Sequence, residues 1–373
     1  MFVSLFCYSI YEVIFMDYSK QRQKSVHRKK LYENLNEMPF YIEEFVEYKE
    51  LHDASPSTLL NYVYDFRVFF NWLLSEQIIE FKPIKDISFS DLENLKKKDV
   101  ENFMRFLKLQ QNMQNSSVNR KISALKSLFK YLTSLSENDE GECYFYRNVM
   151  AKIEIHKDKE TLNARAKRMR SKIFHNDDDQ EFLNYVKYEH EKSLTKHQLF
   201  YFLRDKDRDV AILSLFLGSG IRVSELADLR MEDINLKERL IDVIRKGNKE
   251  DSVWITPIAL NDLEKYMEIR DNKYAPGKEL KNVFLSKYKH TAQPLSVRAI
   301  QDIVEKYTKA YGKRMSPHKL RHTLANKLYM EEKDSLQVMQ QLGHTSQDTA
   351  LLYTQLGETT IKDSLGRLGK NKE

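Results

Sequence analysis

The sequence predicts a mainly α-helical protein of two domains, with a small β-sheet or hairpin confined to the second. Three observations lead there. The chain has 373 residues, against roughly 100–200 for a typical domain. Charged residues reach 31% while Gly (10) and Pro (7) are scarce, which favours helices over turn-rich sandwiches or barrels. Hydrophobic residues make up 41%, with 12% aromatic, enough for a packed interior and against wholesale disorder. The balance is mildly basic, with 61 Lys+Arg against 55 Asp+Glu and a net charge of +6. The two cysteines, Cys7 and Cys143, have no metal-ligand spacing, so neither a disulfide framework nor a cysteine zinc site is expected, and a reducing cytoplasm fits.

Residues 1–34 read as an N-terminal extension. The first fifteen are apolar and aromatic, but Glu12 interrupts them, no basic segment precedes them and no small-residue cleavage site follows. The run also falls short of the roughly 20 residues that span a bilayer. Since Met16 opens an ordinary polar sequence, residues 1–15 are read as coming from an upstream start codon, without a functional role. The basic stretch Gln21 to Lys30 suits a solvated helix face or a nucleic-acid-binding arm.

Residues 35–136 form the first helical unit. Ser55-Pro56-Ser57-Thr58 is a helix start, with Pro in the first turn, and Leu59, Val63, Phe66, Phe70 and Leu73 follow at helical spacing. Arg67 falls off that stripe. A second helix, Ser117 to Leu132, carries Val118, Ile122, Leu125, Phe129 and Leu132 on one face, with Arg120, Lys121, Lys126 and Lys130 elsewhere. One such helix is ordinarily just an amphipathic surface helix, whereas several in one basic chain point to a surface facing a polyanion. Residues 137–172 read as a basic linker able to lie along a phosphate backbone, ending in a run that includes Lys167, Arg168 and Arg170.

The second domain is expected over 173–373. His175-Asn176-Asp177-Asp178-Asp179 opens a helix carrying Phe182, Tyr185 and Val186; its three adjacent acids point apart, so no metal site is assigned. Asp207 to Leu217 predicts a buried helix leading into Gly218-Ser219-Gly220-Ile221-Arg222, a tight turn that sets Arg222 at the start of the next helix, where an anion would sit. Leu240 to Ile244 and Val253 to Ile255 predict a hairpin with Lys246 and Lys249 at its tip. Ser316-Pro317 opens a helix on which His318 and Arg321, three apart, share a face. Leu342-Gly343-His344 follows a further helix, and Tyr353 lies nine residues beyond His344. Taken singly, each of these has an ordinary structural reading.

Taken together, in this order, they resemble the tyrosine recombinase (phage integrase) family over nearly all of residues 35–365. The positions Arg222, Lys246, His318, Arg321, His344 and Tyr353 match its six catalytic positions one by one. Met38-Pro39-Phe40-Tyr41, Phe69-Phe70-Asn71-Trp72 and Asn119-Arg120-Lys121 in the helical unit look most like the single-recombinase form of the Xer branch, which resolves chromosome dimers. Mobile-element integrases of plasmids, phages or transposons share much of the pattern.

The resemblance implies a two-domain DNA clamp: a helical core-binding domain plus a catalytic domain that cleaves and rejoins strands without metal, nucleotide or cofactor. Arg222 and Arg321 would clamp the scissile phosphate, because guanidinium matches phosphate oxygens bidentately and keeps its charge. His344 would donate to a non-bridging oxygen, and His318 would order the phosphate or help take the proton from Tyr353, the nucleophile. Lys246 would protonate the leaving 5′ oxygen, and Glu225 would orient Arg222. DNA contacts are expected from Arg67, Arg120, Lys121, Lys126, Lys167, Arg168, Arg170 and Lys249. Implied partners are a duplex site with inverted repeats and three further copies of the chain in a homotetramer on two sites, without a membrane; a division-septum DNA translocase is a candidate further partner. Residues 358–373 would dock on the neighbouring protomer. Two rivals are a type IB topoisomerase, which shares the phosphotyrosine chemistry, and a non-catalytic DNA-binding regulator, which would be expected to lack one of the six groups.

Overall fold

The computed structural model describes residues 18–156, 160–245 and 249–343. The chain divides into two compact units, Met1–Lys159 and Glu160–Glu373. Both are mainly helical, and the strands among the described residues all lie in the second.

The first unit contains α1 (Tyr18–Leu35), α2 (Phe40–Leu51), α3 (Pro56–Ser75), α4 (Phe89–Glu93), α5 (Lys97–Arg105) and α6 (Asn115–Ser134). Ser55 caps α3 by accepting the Thr58 backbone N–H at 3.3 Å, with Pro56 inside the first turn. All five residues of the expected α3 stripe are buried, as are those of α6. Burial extends beyond the stripe: Leu60, Phe69 and Trp72 are also inside, so α3 is wrapped on most of its circumference. A buried carboxylate, Asp65, sits on α3 and is met from α6 by Lys121 at 2.8 Å and by both terminal nitrogens of Arg120.

The stretch expected to be a linker, 137–172, is divided between the units. Phe145, Val149, Met150 and Ile153 are buried in the core of the first. Beyond Glu160, α7 (Leu162–Arg170) belongs to the second, capped by Thr161, whose hydroxyl accepts the Ala164 N–H at 3.2 Å. Apolar residues spaced among charges supply enough burial to hold segments that composition alone describes as solvated.

The second unit continues with α8 (Asp178–Asn184), α9 (Lys196–Gly218) and α10 (Val223–Asp228), then β1 (Ile234–Asn235), β2 (Leu240–Arg245) and β3 (Lys249–Trp254). After these come α11 (Pro257–Tyr274), the hairpin β4 (Leu285–Tyr288) and β5 (Thr291–Pro294), α12 (Val297–Ala310), α13 (Pro317–Glu332) and α14 (Ser335–Leu342). The first sheet is antiparallel in the order β1-β2-β3, with Ile241 opposite Val253 and Arg245 opposite Lys249. Helix α9 is the spine, buried from Arg208 to Gly218 and packed against α11 and α13. It is longer than the 207–217 expected: Thr195 and Gln198 form a capping box a dozen residues earlier, with the Gln198 side chain accepting the Thr195 N–H at 3.0 Å. A small apolar cluster of Ala166, Ala325, Val338 and Leu342 seats α7 against α13 and α14.

Candidate active site

The turn after α9 needs a left-handed residue, and Gly220 (φ +66) supplies it; a Cβ there would meet Leu342 Cδ2 at 2.6 Å. The turn delivers Arg222 to the N-cap position of α10. Glu225, one turn along, accepts the Arg222 backbone N–H at 2.8 Å and its Nη1 at 2.7 Å. The other terminal nitrogen, Nη2, donates to Gly343 O at 3.0 Å and, more loosely, to Leu342 O at 3.4 Å. Arg321 reaches the same place from α13. Its side chain is 2% exposed, and it donates to Gly220 O and to Leu342 O. Two guanidiniums from distant parts of the sequence therefore share one carbonyl at the end of α14, while the Arg222 side chain keeps 35% of its surface open.

His318 stands in the first turn of α13, after Pro317, and pairs with His322 one turn on, Nε2 to Nε2 at 2.9 Å. At that separation one ring donates and the other accepts, so the two cannot both carry a proton on the facing nitrogens. Crowding by the surrounding chain, then the guanidiniums of Arg321 and Arg222, push His318 below the ordinary histidine value.

Sequence reasoning passed over two residues at this site. Arg245, the last residue of β2, is buried at 9%. It donates through Nη1 to both Glu225 oxygens at 3.1 Å, through Nε to Asp251 at 2.9 Å, and weakly to Gln341 O. The signal was strand alternation: Ile241, Val243 and Arg245 fall on one face, and the first two are apolar. Gln341 is the other. Its amide bonds Ser219 O at 2.9 Å and Trp254 O at 2.8 Å and accepts the Trp254 N–H at 3.3 Å, lashing α14 to the hairpin and the glycine turn.

Lys246, His344 and Tyr353 lie outside the described residues. The described residues nearest Lys246 are Arg245 and exposed Lys249, and Gly343, which immediately precedes His344, lies beside Arg222.

The expected DNA contacts separate into two kinds. Lys121 is buried on Asp65, so the expectation for it is corrected: its ammonium neutralises a core carboxylate and ties α6 to α3. Arg120 shares Asp65 but is half exposed, and Arg67 bonds Asn34 O at 3.2 Å and Glu37 at 3.0 Å. Lys126 is half-buried; Lys167 and Arg168 are exposed on the last turn of α7, Arg168 paired with Glu160 at 2.8 Å, and Arg170 is half-buried. Asp179 of the acidic trio is buried and paired with Lys327 at 2.8 Å. Among the described residues no helix is long and apolar enough to cross a membrane.

Comparison with known proteins places these features. Residues 193–359 match the phage integrase family, and residues 42–135 match the phage integrase N-terminal SAM-like domain. The chain is 41% identical over 340 residues to the tyrosine recombinase XerS of Streptococcus gordonii, covering 89% of this chain and 96% of that one. It is 40% identical over the same length to the XerS of Streptococcus pneumoniae strain CGSP14, with the same coverage. Among solved structures, the XerH site-specific recombinase bound to palindromic difH substrate superposes with a TM-score of 0.65 at 18% identity, over 92% of this chain and 89% of that one. A lambda integrase dimer on a COC′ core site gives 0.55 at 16%, over 84% and 94%. The chain belongs to the phage integrase family, as a XerS-type tyrosine recombinase, a site-specific enzyme that breaks and rejoins DNA.

Proposed function

We propose that Arg222, Lys246, His318, Arg321, His344 and Tyr353 form the cleavage site, acting on a dif-like chromosomal site to resolve chromosome dimers during cell division. The observation that carries this reading is the convergence of the Arg222 and Arg321 guanidiniums on Leu342 O, immediately before the Gly343-His344 step. A phosphate entering there meets two permanent charges, one of them held in place by Glu225 and exposed enough to bind. The Tyr353 oxygen loses its proton and bonds to phosphorus as the bond to the 5′ oxygen breaks. That oxygen takes a proton from Lys246, leaving a 3′-phosphotyrosine. A 5′ hydroxyl from the partner duplex then reverses the step, which conserves the bond and dispenses with metal or nucleotide.

His318, held below its ordinary value, is an acceptor near neutral pH, suited to receiving the Tyr353 proton. Strand exchange proceeds through a Holliday junction in a homotetramer on two inverted-repeat sites. The exposed Lys167, Arg168 and Lys249, with Arg120, Arg67, Lys126 and Arg170, contribute phosphate contacts, and a division-septum translocase brings the sites together. The support for the chromosomal role is the likeness to XerS over nearly the whole length of both chains.

The test is covalent trapping on a nicked duplex carrying a dif-like site. The intact protein forms a protein–DNA adduct in the presence of EDTA. Tyr353→Phe binds the same duplex with unchanged affinity and forms none; an adduct in that variant would remove Tyr353 from its role.

A further inference from the structure

Glu225 poses an electrostatic problem for the site. Its carboxylate lies 2.7 Å from Arg222 Nη1 and is nearly buried, so in a medium that screens poorly it would cancel much of the charge Arg222 offers to a phosphate. Arg245 answers it. That guanidinium has no route to solvent as useful as the one Arg222 has, since its side chain is 8% exposed, and it spends Nη1 on both Glu225 oxygens at 3.1 Å. Its Nε is held by Asp251 on the facing strand, which fixes the fork in orientation. Among the described residues around the site, three guanidiniums face two carboxylates, and one of these, Asp251, is 38% exposed and partly screened.

We infer that Arg245 is a positioning residue for strand cleavage: it neutralises Glu225 so that Glu225 can hold Arg222 in place without discharging it. This rests on Arg222 binding the scissile phosphate, as proposed above. In this role Arg245 acts through Glu225 and needs no contact of its own with the DNA. Its position explains why β2 carries a charged residue on its inward face, directly before the hairpin tip.

The experiment compares single-turnover cleavage of two DNA substrates, one with the natural scissile phosphate and one with a neutral methylphosphonate there. Their rate ratio does not depend on the fraction of protein that is folded. In Arg245→Met, the uncompensated Glu225 opposes the negative phosphate and not the neutral one, so the methylphosphonate-to-phosphate ratio rises at least tenfold over the intact protein. Arg245→Lys, which keeps the charge, holds the ratio within about threefold of the intact protein. Adding Glu225→Gln to Arg245→Met brings it back, because the carboxylate is gone. An unchanged ratio in Arg245→Met would overturn the inference, leaving Arg245 a purely structural tie. A raised ratio that Glu225→Gln fails to lower would overturn the route through Glu225. Absence of cleavage of the natural phosphate by the intact protein would instead refute the active site itself, and Arg222→Ala, run alongside, shows what loss of the phosphate clamp looks like.

Discussion

Gly343→Ala tests how tightly the end of α14 is fitted to the hairpin. Gly343 is the left-handed residue that ends the helix (φ +57), and an alanine there costs about 1 kcal/mol from backbone strain alone. A Cβ would also sit 2.8 Å from Arg245 Nε and 2.9 Å from its Cζ, closer than such atoms approach. The guanidinium must move, and it is the buried partner of Glu225; breaking such a pair costs about 3–5 kcal/mol, of which partial displacement forfeits a fraction. The expected total is about 3 kcal/mol, or a melting-temperature drop of roughly 6–12 °C for a unit of this size. Chemical denaturation of the full chain, followed by circular dichroism, measures it in two backgrounds. In Arg245→Ala with Glu225→Gln the clash is absent, and Gly343→Ala should cost only about 1 kcal/mol. Equal costs in both backgrounds, within about 0.5 kcal/mol, would refute the argument that Arg245 fills the space in front of Gly343.

Three further predictions concern chemistry and stability. A bridging 5′-phosphorothiolate, whose thiolate leaves without a proton, should restore most of the cleavage lost in Lys246→Ala but little of that lost in Arg222→Ala or Arg321→Ala; rescue of Lys249→Ala instead would transfer the acid role to Lys249. The His318 ring should titrate below 6.5 by NMR, assigned against His318→Gln, so its contribution to stability is complete above pH 6.5 and lost as pH falls through the lower folded value; a midpoint above 6.5 would contradict the crowding described. Asp65→Ala should destabilise the first unit by about 3 kcal/mol because it strands the buried Lys121 ammonium, and an effect below about 1 kcal/mol in denaturation would show that Lys121 escapes to solvent.

What the sequence made legible followed local rules. Proline and serine at helix starts and the apolar stripes of α3 and α6 depend on residues within a turn or two of each other, and each reappears in the structure. What it concealed depends on partners far along the chain. Lys121 looks like one more surface cation until Asp65, from another helix, makes it a core residue. Arg245 ends β2 next to a lysine, so its charge reads as solvated although its face of the strand is buried. Residues 142–155 read as linker only because acidic residues precede them and a basic run follows, yet Phe145, Val149, Met150 and Ile153 dock them on the first unit. The start of α9 was legible after all in Thr195-Lys196-His197-Gln198, a capping-box pattern that lies well ahead of the apolar run.

The meeting point of Arg222 and Arg321 is a backbone carbonyl, which every amino acid supplies equally. Substituting Leu342 by another apolar residue leaves the acceptor where it is, so position 342 can drift in identity as far as the small cluster with Ala166, Ala325 and Val338 tolerates. Deleting one residue from α14 is a different matter: a helix advances about 100° per residue, so the carbonyl swings away from both arginines and Gln341 loses its grip on Trp254. The site is thus addressed by residue count along α14 more than by residue type, and length conservation in that helix is the trace selection would leave.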